Sequence, residues 1–213
     1  MTRYRQSSFI LAGFLLLVVA HEGWAGPPTD QLKTSIDKVI QILEDPALKV
    51  DGKVKERRTA VRHVANDIFD FAETARRSLA RHWQGRTDQE REEFVALFSD
   101  LLERSYISKI EFYGGERVQY GREQLDGDYA MVSSKIMTKQ GQEVPVDYRM
   151  LRRGDRWLVY DVVIEGVSLI SNYRTQFNKI VQTSSYAELV KKMKTKQEEF
   201  LEEEAKSKGT AKN

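Results

Sequence analysis

The chain reads as an α+β protein, with helices packed on an antiparallel four-stranded sheet, because the spacing of its apolar residues changes twice. Between Thr29 and Tyr113 they recur at intervals of three and four, the repeat of helices with one buried face. From Arg117 to Ile164 the interval is two, the repeat of strands. Beyond Gly166 the helical interval returns with Val167, Ile170, Tyr173 and Phe177.

Pro27-Pro28-Thr29-Asp30 starts the first helix, with Leu32, Ile36, Val39, Ile40 and Leu43 on one face, and Asp45-Pro46 ends it. Past Gly52, the stripe Val61, Val64, Ile68, Phe71, Ala72, Ala75 and Leu79 predicts one long amphipathic helix. Thr87-Asp88-Gln89-Glu90 is a capping box, in which hydroxyl and carboxylate each satisfy an orphan amide. It opens a third helix, whose buried face holds Phe94, Leu97, Phe98, Leu101, Leu102, Tyr106 and Ile110 before Gly114-Gly115. Four strands follow at 117–124, 128–138, 143–152 and 156–164, parted by the turn pairs Asp126-Gly127, Gln140-Gly141 and Gly154-Asp155. In the third, Val144, Val146, Tyr148 and Met150 alternate with mostly polar residues, so one face is dry. Trp157 to Ile164 is apolar except at Asp161 and reads as a central strand. Gly166 is a hinge into a helix ending near Ser184, and Tyr186, Leu189, Val190 and Met193 mark one more.

Domain organisation follows from the two ends. Arg3 and Arg5 precede an apolar run from Phe9 to Ala20, shorter than the roughly 20 residues of a membrane span but suited to a signal-peptide core. Residues 1–25 are therefore expected to be a signal peptide cleaved after Ala25, residues 26–193 a single domain, and residues 194–213 a charged, partly disordered tail. The exported chain keeps 32 basic and 31 acidic residues. That near-neutral balance argues against nucleic acid as a partner. With no cysteine, the chain has no disulfide, thiolate nucleophile or cysteine-built metal site.

Catalytic signals are sparse. His21, His63 and His82 lack metal-ligand spacing, and Ser168 is not followed by the glycine of a nucleophile elbow, which leaves it the role of a helix N-cap. We therefore expect no enzyme, no metal and no cofactor. A curved sheet behind helices also suits a cone of the nuclear-transport-factor type, in which Tyr148, Tyr160 and Asp161 are the candidates for acid/base chemistry. The aromatic residues suit a packed core and an apolar cavity equally well.

One stretch is more specific. The run Asp161-Val162-Val163-Ile164-Glu165-Gly166-Val167-Ser168-Leu169-Ile170, followed by Asn172-Tyr173-Arg174 and Gln176-Phe177, resembles the MlaC family of periplasmic phospholipid-binding proteins, also known as toluene-tolerance auxiliaries. Leu79-Ala80-Arg81-His82-Trp83, Thr87, Gln89, Arg91, Phe94, Phe98, Tyr106, Tyr113, Val118, Val146, Tyr148 and Trp157 extend the resemblance over nearly the whole exported chain; Ala80 departs from it, standing where a glycine is expected. The resemblance implies that sheet and helices enclose a deep apolar cavity for acyl chains, with the headgroup near solvent. It implies a monomeric periplasmic carrier that shuttles phospholipid between an outer-membrane lipoprotein and porin complex and an inner-membrane ABC transporter bearing an MCE-domain protein. Hopanoids or related polycyclic lipids are the alternative cargo. On this reading the lipid-binding wall comprises Phe98, Leu101, Leu102, Tyr106, Val132, Ile136, Val146, Tyr148, Val167, Ile170, Tyr173 and Phe177. Arg174 is expected either to pair with Glu165 or Asp161 or to contact phosphate, and Arg149 to be solvated.

Overall fold

A computed structural model describes residues 27–210. The expected signal peptide and its cleavage site lie outside the described residues. Helix α1 (Pro27–Glu44) is followed by a 3₁₀ turn (Asp51–Lys53), α2 (Val54–Ile68), α3 (Phe71–Leu79), a second 3₁₀ turn (Ala80–His82) and α4 (Asp88–Glu111). The sheet comprises β1 (Arg117–Asp126), β2 (Tyr129–Met137), β3 (Glu143–Arg153), β4 (Arg156–Ile164) and the two-residue β5 (Val167–Ser168). The chain ends with α5 (Leu169–Thr183) and α6 (Tyr186–Thr210). The charged segment from Lys194 continues α6 without a break as far as Thr210.

The long helix expected across residues 53–79 is broken in two. Phe69 is extended (φ −94°, ψ 139°), and Asp70 caps α3 by accepting from the Glu73 amide at 2.9 Å. The break lets Phe69 bridge Val159 in parallel, with the Asp70 amide donating to the Val159 carbonyl at 2.8 Å. A backbone segment that leaves the helix thus recovers its hydrogen bonds on β4. Asp70-x-x-Glu73 has the form of a helix start, and nothing else in the apolar stripe marks the break. The capping box of α4 forms as expected: the Thr87 amide donates to Glu90 Oε2 at 2.8 Å and the Glu90 amide to Thr87 Oγ1 at 3.2 Å.

All sheet pairings are antiparallel, in the order β1-β2-β3-β4-β5. The fifth strand arises because Glu165 (φ +50°) and Gly166 (φ +80°) form a two-residue turn, pairing Ile164 with Val167 and Val163 with Ser168. Positive φ at both turn positions matches the twist of a tight hairpin. Strand β4 is consequently not central: one side pairs along β3, while the other meets the two-residue β5 and single contacts from Gln31, Phe69, Asp70 and Thr74. Register shifts between Tyr120 and Glu123 and between Arg149 and Met150 bend the sheet. The second shift leaves Tyr160 outside the ladder, and its carbonyl accepts from Thr74 Oγ1 at 2.9 Å.

Packing produces separate cores. A helical core gathers Ala75, Leu79, Phe94, Leu97, Phe98, Phe177, Leu189, Val190 and Met193 from α3 to α6. A sheet core gathers Leu32, Ile68, Ala130, Val132, Met150, Trp157 and Val159, where α1 and α2 cover one sheet face. Leu43, Val61 and Ile107 join α1, α2 and α4.

Candidate lipid-binding site

Register assigns the inner face of the sheet. Tyr120 lies opposite Ser134, Val118 opposite Ile136, Val132 opposite Tyr148, and Tyr148 in turn opposite Val162. Val146 lies opposite both Ser134 and Ile164. Val132 is fully buried in the sheet core, and Tyr120, Tyr148 and Val162 pack against that core. Past them, Val118, Ile136, Val144 and Ile164 carry the apolar face onward, half-buried and outside the core clusters. Single-residue alternation explains this strip: each of its members sits an even number of positions from a core residue on a strand or across a pair.

The expected wall divides into groups. Phe98 and Phe177 belong to the helical core, with Leu101, Leu102 and Tyr173 packed against it. Ring centroids lie 5.0 Å apart for Phe98–Tyr173 and 5.1 Å for Phe98–Phe177, both edge-to-face. Tyr106 is half-buried on α4, with Lys109 over its ring at 5.2 Å, and burial pushes its hydroxyl pKa up. Val132, Ile136, Val146 and Tyr148 share the inner sheet face. Burial raises the Tyr148 pKa to about 12. Helix α4 packs chiefly on α2, α3 and α6, whereas the helices against the sheet are α1, α2, α3 and α5. The helical and sheet groups therefore belong to different packing layers.

Two expected wall residues lie elsewhere. Val167 is 59% exposed, because the tight turn places it on β5 rather than on a helix. Ile170 is buried with Leu151 and Tyr160 on the opposite sheet face, since the same turn sends the chain to that side before α5 begins. Open depressions on the described surface include one of about 660 Å³ on α2 (Lys55, Glu56, Thr59, Ala60, His63) and one of about 320 Å³ on α6 (Glu188, Lys191, Lys192, Thr195, Lys196, Glu199). Neither touches an expected wall residue.

Asp161 joins the layers. It is 3% exposed; its Oδ2 accepts from Arg149 Nη1 at 3.0 Å and Ser168 Oγ at 2.7 Å, and its Oδ1 from the Ile170 amide at 3.1 Å. Ser168 Oγ in turn accepts from the Ser171 amide at 3.0 Å and caps α5, as expected. The carboxylate fixes the exit of β4, the turn and the first residues of α5 together. Arg149 is thus an ion-pair partner rather than merely solvated, while Arg174 donates from Nε to the Arg77 carbonyl at 3.1 Å instead of pairing with Asp161 or Glu165. Asp161 lies opposite Arg149, the neighbour of Tyr148 in β3, so Tyr148 and Asp161 point to opposite faces and the expected acid/base pair is not assembled. Among the described residues no group of three or more His, Asp or Glu is gathered in metal-binding range.

A model of the family described as MlaC protein matches residues 33–195. The chain belongs to the MlaC family. Among similar proteins, the intermembrane phospholipid transport system binding protein MlaC of Haemophilus influenzae is 22% identical over 191 residues, covering 87% of this chain and 88% of that protein. The toluene tolerance protein ttg2D of Pseudomonas putida is 22% identical over 181 residues, covering 81% and 80%. The phospholipid-binding protein of Ralstonia solanacearum, solved in complex with a phospholipid, superposes with a TM-score of 0.73 at 24% identity, covering 83% of this chain and 99% of that one. The shared fold of this MlaC-family member is helices around a curved, open antiparallel sheet. Ala80, the departure noted in the sequence, has φ +50° and ψ −123°, a conformation natural to glycine and strained for alanine.

Sequence reasoning placed Val144 on the dry face but not in the wall, and it missed Tyr120, Val162 and Ile164 as members of the inner face. Alternation along strands 1, 3 and 4 carried that signal, although the bulges make the counting fail across Gly121–Arg122 and at Tyr160.

Proposed function

We propose that this protein is a periplasmic carrier of phospholipid, holding acyl chains between the inner sheet face and the helical layer while it passes between membranes. The half-buried strip Val118, Ile136, Val144 and Ile164 supports this reading most directly, because it is apolar surface continuous with a core yet left outside it. The names of the relatives support it too: phospholipid transport for one, a bound phospholipid for another. Exposing two chains of about 16 carbons to water costs on the order of 25 kcal/mol at ~0.8 kcal/mol per methylene, so a lipid crossing an aqueous space must be wrapped. The chains enter where the layers meet, lined by Leu101, Leu102, Tyr106, Ile136, Val146, Tyr148 and Tyr173; Phe98, Phe177 and Val132 back them from within the two cores. Binding through the tails makes the carrier tolerant of headgroup and sensitive to chain length.

Export follows cleavage after Ala25, and no described helix is long and apolar enough to cross a membrane. As a monomer the carrier exchanges lipid with an outer-membrane lipoprotein and porin complex and an inner-membrane MCE-domain transporter. Mass spectrometry of organic extracts of the purified protein tests the proposal. Phospholipid is expected from the wild type and none from Val146→Glu or Leu101→Arg, provided both variants keep a cooperative melt. An extract of folded wild type holding polycyclic lipids instead, or no lipid, defeats it.

A further inference from the structure

The inner sheet face carries a short row of hydroxyls in otherwise apolar surroundings. Ser134 is buried and donates from Oγ to the Val146 carbonyl at 2.9 Å. Tyr148, diagonal to Ser134 on the neighbouring strand, adds a second hydroxyl to the same face. Tyr120, directly opposite Ser134 on β1, completes the row. Its hydroxyl oxygen is buried and has no hydrogen-bond partner among the described residues. Burial first, then neighbouring Tyr148 and the Asp37 carboxylate, push its pKa above the usual tyrosine range, so it remains a donor at any physiological pH.

An orphan donor in an apolar wall selects its own ligand atom. The partner must be an acceptor, because a buried hydroxyl without one forfeits its hydration. An uncharged one is favoured, because the Asp37 carboxylate bears on the same hydroxyl and an anion there disfavours a phosphate. An acyl ester carbonyl meets both conditions and arrives attached to the apolar chain that such a surface holds. We infer that Tyr120 is a specificity-determining residue that donates a hydrogen bond to an acyl ester carbonyl of the bound lipid. This assignment rests on the phospholipid reading and sharpens it, since ether lipids and polycyclic hydrocarbons offer no such acceptor.

The test compares two lipids of identical headgroup and chain length, a diacyl phosphatidylglycerol and its dialkyl-ether analogue, in competition with a pyrene-labelled phospholipid on the delipidated, full exported chain. Wild type is expected to bind the ester form about tenfold more tightly, the worth of one hydrogen bond made to an otherwise unsatisfied donor. Tyr120→Phe is expected to abolish that preference by weakening the ester lipid alone. Its lipid-free melting temperature should equal or exceed that of wild type, because the substitution removes an unpartnered buried group. Equal affinities in wild type, or a preference that survives in Tyr120→Phe, overturn the role of Tyr120 and leave the carrier reading standing. Failure of folded wild type to bind either lipid overturns both.

Discussion

The helical core and the sheet core are made of different side chains and end differently. In the first, Phe94, Phe98, Tyr173 and Phe177 interlock with centroids 5.0 to 5.9 Å apart, and aliphatic residues of α6 close the far side. In the second, aliphatic residues and Trp157 pack beneath α1 and α2, but the apolar face runs on past the helices, half-buried and interrupted by hydroxyls. A closed aromatic core resists displacement, because each ring loses many contacts at once. A face that is apolar yet incompletely covered yields to a ligand at little cost. The contrast places rigidity in the helices and adaptability along the sheet.

The sharpest way to break this contrast is a cavity in each core. Phe98→Ala should destabilise the protein by about 4 kcal/mol and Val132→Ala by about 2 kcal/mol, read from urea denaturation. The two residues share no cluster, so the double variant should be additive to within about 0.5 kcal/mol; a coupling above about 1 kcal/mol would merge the two cores into one. Next comes the joint. Asp161→Ala leaves Arg149, Ser168 and the Ile170 amide without their shared acceptor, and a loss of about 3 kcal/mol is expected. Faster amide exchange should appear from Ser168 to Ser171 before it appears in α4.

A smaller effect depends on pH. The hydrogen bond from Arg76 holds the buried Glu73 carboxyl at about 2, below its usual 4.5, against the opposing effect of burial and with help from Arg77. Because the folded value is the lower one, its stabilisation is complete above pH 4.5 and is lost as pH falls towards 2. Wild type should exceed Glu73→Gln by about 2 kcal/mol at pH 6, and the gap should close on acidification. A gap that stays constant with pH would deny these ion pairs a stabilising role within α3. The smallest change is a gain. Ala80→Gly should stabilise the helical side by about 1 kcal/mol, since relief of the positive-φ strain outweighs the extra freedom of glycine in the unfolded chain. An unchanged or lower melting temperature would show that Ala80 carries no strain.

Much of the architecture was legible. The strands, the turn glycines, the capping box at Thr87 and the Ser168 cap all follow from patterns within a few residues of each other, where local sterics and hydrogen bonding decide the outcome. The break at Phe69 was less so, because its reward is a bond to Val159, far away in sequence. For the proposed site, residue type anticipated that Phe98, Leu101, Tyr148 and Phe177 are buried or half-buried, while Val167 and Ile170 fall off the inner sheet face, because the turn at Glu165-Gly166 is a hairpin and not the hinge that was expected.

By itself, the sequence determined most of the elements, the alternation that makes one sheet face dry, and the family, because each is written in spacing or in a contiguous run of residues. Only the tertiary structure decided that the apolar residues divide between separate cores, that Asp161 binds turn to helix, and that the Tyr120 hydroxyl is left without an acceptor. Those outcomes depend on which surfaces meet across the chain, and the same apolar and aromatic residue types serve a filled core and an open face alike.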